Sequence, residues 1–173
     1  MKYAKYYLII FSFFSFFYFT GGAPINFINN EWLSPGDSGW HWINWLFFKE
    51  TPLLQFPIFD NYNYGMELSS SIAMNDSLPI MAIIFKPFSA FLPFEFQYFG
   101  IWILICFILQ GQFSLILLRR ITNNEILSFM GACFFVLSPP FLWRLWGHYS
   151  LMAHWLIIFG IIIFYSSNFR FKN

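Results

Sequence analysis

An all-α, polytopic membrane helix bundle is the fold class this sequence predicts, and three observations predict it. Of its 173 residues, 58% are hydrophobic and only 10% are charged, against about a quarter charged in soluble domains. The mean hydropathy is +0.58. The apolar residues gather in runs of the length a bilayer crossing needs, about 20 residues. The same numbers exclude an ordinary globular domain, a coiled coil and a disordered chain. They also exclude a nucleic-acid binder, because nine Lys and Arg against eight Asp and Glu leave no basic patch for phosphates. Cys106 and Cys133 both sit inside apolar runs, which reads as packing rather than a disulfide framework.

Four spans are expected. The first covers residues 6–20, YYLIIFSFFSFFYFT, behind Lys2 and Lys5. Its rival reading is a cleaved signal peptide, with small residues at Gly21, Gly22 and Ala23. Bulky Tyr18 and Phe19 ahead of those residues favour a retained anchor. The second span, 96–118, is closed by Arg119 and Arg120; the third, 126–142, is interrupted by Pro139 and Pro140; the fourth is 151–165. A weaker stretch, 78–94, is broken by Lys86-Pro87 and Pro93. Proline costs a helix hydrogen bond and a mid-span Lys is expensive in lipid, so this stretch reads as an interfacial segment. It belongs to a long external loop, about 21–95, and the whole chain reads as a single membrane domain.

Charge sets the orientation. Positive residues near span ends prefer the cytoplasm. With both termini inside, Lys2, Lys5, Arg119, Arg120, Arg170 and Lys172 are cytoplasmic, and only Lys49, Lys86 and Arg144 face out. Every acidic residue except Glu125 falls outside, as does every tryptophan or its end of a span. Any chemistry is therefore expected at the outer membrane face.

The loop carries Asp37 in PGDSGWHW, followed by Trp40, Trp42 and Trp45. Trp42, Trp45 and Phe48 or Lys49 share one helical face. That face reads as an amphipathic helix laid on the bilayer, or as a surface beside which Asp37 meets a lipid-linked head group. Asp37 also reads as an N-cap, a role Asp favours. Asp60, Asn61, Asn63 and Gly65 are turn chemistry. Asp76, ahead of Ser77 and Pro79, reads as a cap of the interfacial segment or as a second carboxylate, the pair serving as general base and metal ligand. Arg144 and His148 are four apart, so a helical turn would put both on one face, suited to a phosphate or to a snorkelling anchor beside Trp143 and Trp146. His154 falls inside the fourth span, where an ionisable residue suggests function. No HExxH, zinc-spaced His/Cys cluster, glycine-rich phosphate loop or nucleophile elbow is present.

The segments GDSGWHWINWLFFKETPLLQFP, MNDSLPIMAIIFKPF, FQYFGIWILICFILQGQFS and RLWGHYSLMAHW resemble an uncharacterised family of bacterial membrane proteins, itself similar to the N-terminal part of GT-C superfamily glycosyltransferases. The resemblance implies sugar transfer from a polyprenyl-phosphate donor to a cell-envelope acceptor at the bacterial plasma membrane. It gives Asp37, then Asp76, the catalytic place, with a divalent metal as an open option. By charge and side, Lys86, Arg144 and His148 extend it as donor-phosphate contacts, and Trp40 and Trp42 as substrate contacts. Four spans are few for such an enzyme, and the ending NFRFKN after a span reads as an N-terminal fragment. Two non-enzymatic alternatives stay open: a transporter or flippase component, and a structural subunit that docks other membrane proteins.

Overall fold

The computed structural model describes residues 3–33, 36–65, 68–75 and 77–170, the last four without side chains. It is a helical membrane fold. Among the described residues, three helical stretches are long and apolar enough to cross a membrane: Phe99–Ile121, Glu125–Trp146 and Tyr149–Ser166, with a shorter apolar helix at Ala4–Thr20. The chain divides into two compact units, the first made of Met1–Gly22, Ile103–Leu145 and Leu151–Asn173, the second of Ala23–Trp102 and Trp146–Ser150.

In the first unit, α1 (Ala4–Thr20) ends where Gly21 turns left-handed at φ 64° and donates its N–H to Phe17, the usual way a glycine closes a helix. Helix α4 (Phe99–Ile121) carries Arg119 and Arg120 in its last turn, where cations meet the negative end of the helix dipole. Helix α5 (Glu125–Val136) is capped by Asn124, whose side chain accepts from the N–H groups of Ile126 and Leu127. Arg119 pairs with Glu125 at 2.6 Å, which ties α4 to α5 across their short turn. Ser138 is extended ahead of Pro139, so α5 stops and α6 (Pro139–Trp143) restarts with proline in its first turn. Helix α7 is His154–Arg170.

Helix α1 is a full member of this bundle. Ala4 and Leu8 pack with Leu115 and Ala132, and Phe16 meets Phe107 edge-on at 6.0 Å. Gly111 permits the approach: a Cβ there would lie 2.9 Å from Ser12 Oγ and 3.1 Å from Leu8 Cγ. On another side Leu117 packs with Ile158 and Ile162, and Arg120 donates to the Ile162 carbonyl at 3.0 Å and to Ser166 Oγ.

The second unit is built on α2 (Asp37–Lys49). Trp45 and Phe48 are buried. Trp45 packs on Tyr98 with ring centres 5.0 Å apart, and its Nε1 donates to the Phe96 carbonyl at 3.1 Å. The aromatic face of α2 is thus turned into a core, not onto a bilayer, because the aromatics of 96–99 supply a better partner. A two-stranded ribbon, β1 (Asp60–Asn61) with β2 (Ser70–Ser71), runs antiparallel. Asn44, buried in α2, ties it down: Asn61 Nδ2 donates to the Asn44 carbonyl at 3.1 Å, and Asn75 Nδ2 to Asn44 Oδ1 at 3.0 Å. Helix α3 (Pro79–Phe85) continues as a 3-10 turn, Lys86–Phe91. Tyr98 donates its hydroxyl to the Ser77 carbonyl at 2.6 Å, and burial pushes that phenol well above its ordinary pKa of 10.0, so it stays a donor.

Candidate functional site

Asp37 is the first residue of α2, and the cap before it is Gly36, with no side-chain capping bond. The aspartate therefore does not cap the helix; its carboxylate projects into solvent, 64% exposed. His148 reaches it from a segment distant in sequence, with Nε2 3.9 Å from Oδ2. That distance suits an ion pair once the imidazole is protonated, and exceeds a direct hydrogen bond by about 1 Å.

Buried contacts hold the two in register. Gly147 adopts φ +122°, and a Cβ there would sit 3.3 Å from Asp37 Cβ and 3.4 Å from Ser38 Oγ, so glycine alone lets the 146–150 segment lie against the start of α2. His41, one turn after Asp37, is buried, and its Nε2 lies 2.6 Å from the Gly147 carbonyl. Tyr149 donates its hydroxyl to Ser38 Oγ at 2.9 Å and accepts, through its carbonyl, from Trp102 Nε1 at 2.6 Å. The residues flanking Asp37 and His148 are fixed, while the carboxylate and imidazole remain open to a ligand.

Other expected site residues have different places. Trp40 is exposed on α2, one turn from Asp37, and Trp42 is half-buried. Asp76 lies outside the described residues. Arg144 belongs to the first unit, in a 3-10 turn after α6. The helix does not run on from it, because Gly147 breaks the backbone before His148; the shared helical face expected from their spacing does not form. His154 also belongs to the first unit, with its ring 5.9 Å from that of Phe141.

Lys86 departs furthest from expectation. It is only 5% exposed. Its ammonium donates to the main-chain carbonyls of Phe48 and Thr51 and to Thr51 Oγ1, the last at 2.6 Å, and lies 4.5 Å from the centre of the Phe48 ring. A cation closing the carbonyl end of α2 has no N–H left for a phosphate. Burial lowers its pKa from 10.5 to about 8, against an opposing pull from Glu50.

The profile of an uncharacterised domain family, the domain of unknown function DUF6311, matches residues 9–171, nearly the whole chain. The chain belongs to the DUF6311 family. No curated protein and no solved structure matches it. The match takes in every residue of the site, so the Asp37–His148 pair lies within the family's domain.

Sequence reading missed Ser38, His41, Gly147 and Tyr149. A signal existed for His41, which follows Asp37 at the i+4 spacing of one helix face. The carbonyl it meets comes from a remote segment and left no trace in the pattern. Asp37 and His148 offer two ligands to a divalent cation, and no group of three or more His, Cys, Asp or Glu that could hold one occurs among the described residues.

Proposed function

We propose that this chain is a GT-C-like membrane glycosyltransferase, or the N-terminal part of one, acting at the outer face of a bacterial plasma membrane with both ends of the chain in the cytoplasm. The observation that carries this reading is the solvent-open Asp37 carboxylate held beside His148.

A carboxylate within reach of an acceptor hydroxyl removes its proton as the oxygen attacks the anomeric carbon. The new C–O bond forms as the bond from that carbon to the phosphate oxygen breaks, and polyprenyl phosphate leaves with the electron pair. His148, 3.9 Å from the Asp37 carboxylate, orients it. Trp40, exposed one turn away, offers an aromatic plane to a sugar ring. The cytoplasmic placement of Arg119 and Arg120 rests on the positive-inside preference.

The test is transfer of a labelled sugar from a synthetic polyprenyl-phosphate donor by membranes containing the full protein. Asp37→Asn is expected to lower the rate by about 10²-fold or more at unchanged protein level, with His148→Gln intermediate. Undiminished transfer by the Asp37→Asn protein overturns the assignment.

A further inference from the structure

The second unit is inside out along one flank. In the stretch 79–91 the sole charged residue, Lys86, is turned inward, while the exposed side chains include Ile80, Ile84, Phe88 and Phe91, the last 87% exposed. A segment bathed in water shows the reverse pattern, with lysine out and isoleucine in.

The stretch 52–59 repeats this. Every fully exposed residue in it is apolar, and Leu54 and Phe56 are 94% and 93% exposed. The two stretches adjoin, since Leu53 and Ile58 line one concavity with Ile83 and Pro87. Apart from Lys86, buried at the floor of that concavity, the polar residues of the two stretches are Gln55 and Ser89, both half-buried, and further exposed or half-buried charge lies only beyond them at Glu50, Asp60 and Glu95. An exposed patch of this kind marks a membrane or a protein interface. A protein interface carries a hydrogen bond for about every 100–200 Å², whereas the exposed side chains of these two stretches are all apolar. Phe91 also precedes Phe99, where a stretch long and apolar enough to cross a membrane begins, by only a few residues.

We propose that this uncharged flank, 52–59 with 79–91, is seated in the bilayer, its Leu54, Phe56 and Phe91 side chains among the upper acyl chains. Lys86 makes this seat feasible: by closing α2 from within, it removes the one charge that lipid would reject. The inference stands independently of any catalytic role for Asp37.

Its test uses the full protein in lipid nanodiscs, with Cys106 and Cys133 replaced by alanine and an environment-sensitive fluorophore on Leu54→Cys, Phe91→Cys or, as a water-facing control, Asn63→Cys. All three replaced side chains are exposed, so the fold tolerates the labels. At 54 and 91, blue-shifted emission and loss of more than about half the intensity to lipids spin-labelled near the top of the acyl chain are expected, with neither at 63. Water-like emission at 54 and 91 overturns the proposal. So does blue-shifted emission without lipid quenching, which would mark a second copy or another protein on the flank.

Discussion

Lys86 shows how much one side chain decides. Replacing it with methionine takes the Lys86 donor from the Thr51 carbonyl, while the Phe48 carbonyl still accepts from the N–H and hydroxyl of Thr51, and one buried acceptor so orphaned costs about 1–3 kcal/mol. Lys86→Met is therefore expected to lower the melting temperature of the detergent-solubilised protein. The pH dependence has a definite sign. In the unfolded chain the ammonium titrates at its ordinary 10.5, and in the fold at about 8. Between those values the unfolded state binds more protons, so stability rises as pH rises. Thermal unfolding followed from pH 8 to 10 should show that rise in the natural protein and lack its Lys86 component in Lys86→Met. Sequence alone assigned Lys86 to a phosphate because a charge beside a membrane looks available; only the third dimension reveals that it points inward. Asp37 and His148 were legible singly as candidates, but not as a pair, because nothing local links residues so far apart in the chain.

The helices differ in how openly the sequence announced them. Residues 6–20, 96–118, 126–142 and 151–165 are predominantly apolar runs, and α1, α4, α5 with α6, and α7 follow them closely. Length and hydrophobicity suffice there, since lipid demands satisfied backbone and leaves the helix as the solution. Helix α2 was legible as a helix but not in its direction, because Trp42, Trp45 and Phe48 on one face fit a core as well as a bilayer. Packing between helices left a subtler mark. Gly111 reads as an unremarkable residue in an apolar run, yet it is the point where α1 approaches α4. Gly111→Leu drives a side chain into Ser12, Leu8 and Val136, and overpacking of this kind costs about 1–3 kcal/mol. A corresponding fall in thermal stability is expected, and Gly160→Leu, where a Cβ meets nothing within 4 Å, is expected to leave stability unchanged.

At the scale of the whole molecule, the proposed orientation makes an experimental statement about sides. A cysteine at Asn63 should react with a membrane-impermeant maleimide applied to intact cells. One at Asn123, in the turn between α4 and α5, should react only after the membrane is opened. The reverse pattern would turn the chain over and remove Asp37 from the outer face.

The lysine hidden beneath the lipid-facing flank also bears on how the chain is threaded into the membrane during synthesis. Residues 78–94 are apolar and near the minimum length of a crossing, and a lysine at the centre of such a segment disfavours insertion by about 2.5–3.5 kcal/mol. Without that charge the insertion machinery would meet one more acceptable span, and everything after it would emerge on the opposite side. Lys86→Leu is accordingly expected to yield a mixed population in which Asn123→Cys becomes reachable from outside. The residue that closes α2 in the finished protein is thus expected, during its making, to weigh with Pro87 and Pro93 against a further crossing.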